Sequence, residues 1–123
     1  MAQVVSPSDL VRAVFAALDA KDPDALTALM SEDVRLRLGN QDVVEGETAF
    51  LATSQAFASS INGTRHEIHS LWNVDDVVIA EMDVHYERLD GGRLTLPCCN
   101  VFRVRDGLVS DYRVYMDIGP VFA

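Results

Sequence analysis

Residues 77–117, VVIAEMDVHYERLDGGRLTLPCCNVFRVRDGLVSDYRVYMD, decide the fold. They break at Asp90-Gly91-Gly92 and at Asp106-Gly107 into three runs, Val77 to Leu89, Leu94 to Arg105 and Leu108 to Asp117. Each run alternates with the period of a strand, and the breaks supply the positive φ angles that tight hairpins demand. In the first run Glu81, Asp83, His85 and Glu87 share one face and Met82, Val84 and Tyr86 the other, because successive side chains on a strand point to opposite sides. A polar row turned inward makes an acid/base pocket. An apolar row turned inward leaves a solvated sheet face, and the pattern alone favours this second reading. In the second run Leu96, Cys98, Asn100, Phe102 and Val104 form an apolar row broken by one amide. A buried amide must be tied to backbone or face a polar cavity, since leaving it unpaired costs roughly 1–3 kcal/mol. In the third run Tyr112, Val114 and Met116 are expected inside, against Asp111, Arg113, Tyr115 and Asp117 outside.

Working back from the meander, Arg65 to Val74 reads as a further strand whose alternation groups Ile68, Ser70 and Trp72. His66 and His69 are three apart on it and so face opposite ways, which argues against a metal site built from both. Glu47 to Ser60 carries a weaker helical stripe of Phe50, Leu51, Ser54, Phe57 and Ala58. Val34 to Leu38 is a half-buried strand with Leu36 and Leu38 opposite Arg35 and Arg37, and Val43-Val44 pairs briefly after a turn. At the start, Ser6 caps a helix with Pro7 preset at its first position, and Leu10, Val11, Val14, Phe15 and Leu18 carry that helix to about Ala20. Asp22-Pro23-Asp24 opens a shorter one, with a stripe of Ala25, Leu26, Leu29 and Met30, which Ser31-Glu32-Asp33 ends. Helices first and an antiparallel meander last imply an α+β domain over residues 1–123 in which a curved sheet wraps around the helices.

Composition narrows the function. At 123 residues, 49% hydrophobic and 24% charged, the chain has the make-up of one globular domain. A net charge of -9 argues against nucleic acid and anionic lipid as partners, because both need a basic surface. The opening residues, Met1 to Pro7, have neither a basic region nor a long apolar core, and no run reaches membrane-spanning length, so a soluble cytoplasmic protein is expected. Cys98 and Cys99 are adjacent and point to opposite faces, so they cannot chelate together. No nucleotide fingerprint or nucleophile elbow occurs, and neither a metal nor an organic cofactor is expected.

The layout, and the stretches Ala16-Ala17-Leu18-Asp19-Ala20-Lys21-Asp22, Leu29-Met30-Ser31-Glu32-Asp33-Val34 and Val101 to Val109 followed by Tyr112-Arg113, resemble the SnoaL-like group of the nuclear transport factor 2-like superfamily. The resemblance spans nearly the whole chain and implies a cone-shaped α+β barrel with three N-terminal helices roofing an apolar pocket. It also implies that the polar row of the central strand looks into the cone and that the convex side forms a dimer interface.

Limonene-epoxide-hydrolase-like members carry Arg-x-Asp on that strand. Here Glu81 replaces the arginine and Asp83 matches the aspartate, while their second aspartate falls on Val114 and their water-holding tyrosine and asparagine fall on Leu36 and Leu38. Ketosteroid-isomerase-like members would place a base near Leu38 and a tyrosine near Val14, and their aspartic donor matches Asn100.

The expectation is therefore a cofactor-free isomerase, cyclase, dehydratase or hydrolase acting by acid/base catalysis on a hydrophobic substrate, polycyclic ones included. Asp83 would be the base, His85 its partner and Asn100 a donor, with Glu81, Tyr112, Val114, Leu36, Leu38, Phe15, Trp72 and Phe102 contacting substrate. The alternative is a non-catalytic binding or dimerisation module, supported by the leucines and valine at the family's catalytic positions. A homodimer through the outer sheet face is expected from the row Val78, Ala80, Met82, Val84 and Tyr86, which would otherwise be an exposed apolar stripe.

Overall fold

The computed structural model describes residues 6–123, so the reading of the first residues as free of a targeting segment lies, for residues 1–5, outside it. Helix α1 spans Pro7–Asp19, capped by the Ser6 hydroxyl, which accepts the Asp9 N–H at 3.1 Å. Helix α2, Pro23–Ala28, is capped by Asp22, which accepts the Ala25 N–H at 3.0 Å. Strands β1 (Met30–Leu38) and β2 (Val44–Glu45) precede α3 (Glu47–Ser59). Four long strands follow, β3 (Ile61–Val74), β4 (Val77–Arg88), β5 (Arg93–Arg105) and β6 (Leu108–Tyr115), and a single 3-10 turn at Gly119–Val121 ends the chain. None of the helices among the described residues is long and apolar enough to cross a membrane.

The six strands form one sheet in the order β2-β1-β6-β5-β4-β3. Every neighbour pair is antiparallel except β1 with β6. The expected α+β architecture of three helices on a curved, mainly antiparallel sheet is what the chain adopts. Several boundaries differ. Met30 to Asp33 belong to β1 rather than to the end of α2, because Met30 and Val34 both reach the core and Met30 registers with Val109 of β6. β3 starts at Ile61, four residues before the alternation becomes regular.

A bulge at His69 also resets the alternation of β3. Ile68 faces Met82 and Leu71 faces Ala80 on the inner side, while Trp72 pairs with Ile79 on the outer side, so Ile68, Ser70 and Trp72 do not share a face.

The decisive orientation is that of β4. Val78, Ala80, Met82 and Val84 are at most 1% exposed, against α1 and the rest of the core, and Tyr86 is buried with them. Glu81, Asp83, His85 and Glu87 lie on the outer face. Magnitudes explain the choice. Burying each large apolar side chain is worth about 1.5–3 kcal/mol, whereas taking unpaired carboxylates out of water costs several kcal/mol per charge.

Candidate functional site: a cavity between the sheet and the helices

The inner face of the sheet does not fill completely. A cavity of about 330 Å³ remains between it, α2, α3 and the end of α1, with its mouth beside the C-terminal segment that includes Ile118 and Phe122. Its wall is largely apolar. Leu36 and Leu38 of β1, Val114 of β6 and Val84 of β4 line it because each occupies the inward parity of its strand.

Two polar side chains enter this wall from neighbouring strands. Asn100 is 1% exposed, and its Oδ1 accepts the Cys98 S–H at 3.2 Å, leaving Nδ2 without a protein partner among the described residues. Tyr112 packs its ring on Phe102 at a centroid distance of 4.5 Å, and its hydroxyl also has no protein partner there. Among the described residues no fully buried side-chain nitrogen or oxygen lacks a partner, so both of these groups open onto the cavity. Burial raises the phenols of Tyr112 and Tyr86 well above their ordinary range, and pushes the Cys98 thiol up to about 12. All three are therefore neutral donors at physiological pH.

A third polar group lies on β3. His66 pairs with Val84, faces inward and lines the cavity, with its side chain 10% exposed. Its ring stacks on Phe15 at 5.0 Å, and its Nδ1 lies 2.5 Å from Oδ1 of Asp19, the last residue of α1. The same carboxylate accepts the His66 backbone N–H at 3.0 Å and the Thr64 hydroxyl at 3.1 Å. Burial works against ionising Asp19, but the bonds from His66 and Thr64 together outweigh it and hold its pKa below the usual value. An ionised carboxylate only accepts, so the hydrogen between them is on Nδ1, and Nε2 is the nitrogen left to exchange a proton. No described protein atom bonds Nε2.

The remaining candidates from the sequence fall elsewhere. Asp83, His85 and Glu81 are outside the cavity, on the opposite face of the sheet, which overturns the expectation that their row lines the pocket. The Asp83 side chain is 41% exposed and pairs with His69 at 2.9 Å, while His85 bonds Glu67 at 2.8 Å and Thr95 at 2.7 Å. These are solvated hydrogen-bonded pairs across β3, β4 and β5, of little energetic weight.

Trp72 is also outside, 50% exposed, because the His69 bulge turns it out. Phe15 and Phe102 are fully packed core that supports His66 and Tyr112 rather than cavity wall. The Asp19–His66 pair was absent from the sequence reading. Its one sequence signal was an aspartate in the last turn of a helix, where the macrodipole disfavours it and a tertiary partner is needed.

Residues 11–112 match the family model of the SnoaL-like domain. The chain belongs to the SnoaL-like domain family. No curated protein matches this SnoaL-like chain in sequence. In structure it is similar to an NTF2-like protein of unknown function from Burkholderia pseudomallei, with a TM-score of 0.85, 16% identity and 96% of each chain covered. It is similar also to a protein with a ketosteroid isomerase-like fold from Catenulispora acidiphila, in complex with trimethylamine, at a TM-score of 0.84 and 17% identity over 92% of this chain and 88% of that one. An LEH-like epoxide hydrolase from M. tuberculosis gives 0.81 and 22% over 94% and 86%. At these identities the likeness is one of fold.

Proposed function

We propose that this SnoaL-like protein is a small-molecule enzyme of the isomerase, cyclase, dehydratase or hydrolase type. It takes a hydrophobic substrate into the cavity and orients it through an oxygen atom. The carrying observation is the pair of unpartnered donors, Asn100 Nδ2 and Tyr112 Oη, side by side on the sheet wall of a largely apolar cavity. Donors held in a water-poor cavity are already desolvated, so a carbonyl or epoxide oxygen gains more from them than from water, and gains most as it becomes anionic. Leu36, Leu38 and Val114 supply the apolar surface around that oxygen.

Calorimetry with a cyclic ketone and with the hydrocarbon of the same skeleton tests this. The wild type should prefer the ketone by about tenfold or more, and Tyr112→Phe with Asn100→Leu should erase the preference. Equal affinity of the wild type for both compounds would contradict it.

A non-catalytic ligand-binding module is the second reading. It is favoured by the apolar residues at the family's catalytic positions and by the exclusion of Asp83 and Glu81 from the cavity.

We also infer a homodimer through the outer sheet face, though not for the reason the β4 pattern suggested, since that apolar row is core. Three of the largest exposed hydrophobics, Trp72, Val74 and Tyr115, lie on this face, and register links them through Val77, Ile79, Val101 and Cys99 into one band. Arg35, Arg37, Arg103 and Arg113 lie on one side of the band and Glu67, Glu81 and Asp83 on the other. A two-fold axis along the band sets unlike charges against each other.

A further inference from the structure

Four titratable side chains besides the phenols and thiols line the cavity, His66, Lys21, Asp22 and Asp117, and of these Lys21 is already committed, its Nζ donating to the Ile61 carbonyl at 3.0 Å. Both aspartates sit exposed at the mouth and each already accepts a backbone N–H, from Ala25 at 3.0 Å and from Gly119 at 2.9 Å. Carboxylates of this kind are surrounded by water and already turned toward backbone N–H groups rather than toward a bound molecule. His66 is different on each count. Its ring is nearly buried, stacked on Phe15, and fixed at Nδ1 by Asp19, which in turn is held by Thr64 and by the His66 backbone. One nitrogen is thus committed to a carboxylate and the other is left to exchange a proton with the cavity, an arrangement that selects the tautomer and stabilises the imidazolium once a proton arrives. Of the three histidines in the chain, it alone lines the cavity.

We propose that His66 is the proton-transferring residue of this site, with Nε2 as the base and Asp19 as its positioning residue. The assignment rests on the cavity being the ligand site, and it names the group that the Asn100 and Tyr112 donors do not supply. For a substrate with a C–H beside a carbonyl, Nε2 takes the proton and the bonding pair passes to the carbonyl oxygen. Where a carbon–carbon double bond is conjugated with the enolate, the imidazolium returns the proton to the far carbon as the oxygen's pair re-forms the carbonyl, so the enzyme ends as it began. Phe15 is the platform on which the ring is seated, and Thr64 keeps Asp19 from rotating away.

The native substrate is not needed to test this, because nitrobenzisoxazole reports any base in an apolar cavity. The base removes the ring C–H proton, the bonding pair completes a nitrile, the N–O bond breaks, and a coloured phenolate leaves with its electrons. Nitrobenzotriazole, the unreactive compound of the same shape, measures occupancy separately. Wild type is expected to turn the probe over with a pH profile showing one ionisation, and His66→Gln to lose about a hundredfold or more in kcat while still binding the triazole. Asp19→Asn should lower kcat with little change in KM, and its imidazole nitrogen spectrum should lose the pure Nδ1–H tautomer expected of the wild type, a change that a merely structural contact would not produce. His69→Gln, on the outer face of the sheet, is expected to leave turnover unchanged. Thermal melts of each variant identify any that fail to fold, and Asp19→Asn carries the test if His66→Gln is among them. Turnover that survives in folded His66→Gln, or that falls instead in Asp117→Asn, would overturn the assignment. Binding of the triazole by wild type without turnover of the probe would overturn the base alone, whereas no binding would remove the cavity reading with it.

Discussion

Asp19 joins the end of α1 to β3 through three bonds, so its energetics depend on the protein's tertiary structure. Its folded pKa is held below the unfolded value, so the stability it contributes is fully present above the unfolded pKa of about 4 and is lost as pH falls through the folded value. Asp19→Asn should therefore destabilise the protein by roughly 1–2 kcal/mol at neutral pH, allowing for partial solvent screening. The difference from wild type should shrink below about pH 4, a convergence that urea titrations across that range will show. On the opposite face the same logic has the opposite sign. Hydrogen bonding to Asp83 raises the pKa of His69, so any contribution from that pair is present below the ordinary histidine value and fades as pH rises through the raised one. The pair is solvated, and Asp83→Asn should change stability by no more than the roughly 0.5 kcal/mol typical of surface substitutions.

Among the elements, the hairpin between β5 and β6 shows how a turn fixes the face each residue occupies. Asp106 and Gly107 both adopt positive φ, 54° and 75°, and nothing lies within 4 Å of where a Gly107 side chain would be. Gly107→Ala should thus cost about 1–2 kcal/mol through backbone conformation alone, read as a lower Tm with an unchanged core, and Gly107→Asn should cost less. This hairpin was legible in the sequence, as were the helix caps at Ser6 and Asp22 and the facing of Leu36, Leu38, Tyr112 and Val114, because each follows from a local rule of period or turn chemistry. The parity of β3 was not. The His69 bulge changes parity without any glycine or proline to announce it, which misplaced Trp72. The face of β4 was legible too, but the family resemblance overrode a pattern that burial energetics had already decided.

For the molecule as a whole, the two faces of one sheet divide the labour: the inner face holds the cavity and the outer face holds the apolar band and its flanking charges. If two copies meet there, Trp72→Lys should yield a monomer by light scattering at micromolar concentration, with the fold retained by circular dichroism. A wild type that is already monomeric under those conditions would contradict the dimer. The site itself was only half legible. Asn100 and Tyr112 stood out as polar groups on apolar rows, but the Asp19–His66 contact joins residues 47 apart and no local pattern encodes it.

The account stands on ligands binding the inner face, and chemical-shift mapping during titration with a cyclic ketone tests that most directly. Signals of Leu36, His66, Asn100, Tyr112 and Val114 should move together and saturate, while those of Asp83, His85 and Trp72 stay fixed. Shifts confined to Asp83, His85 and their neighbours on the outer face would contradict it.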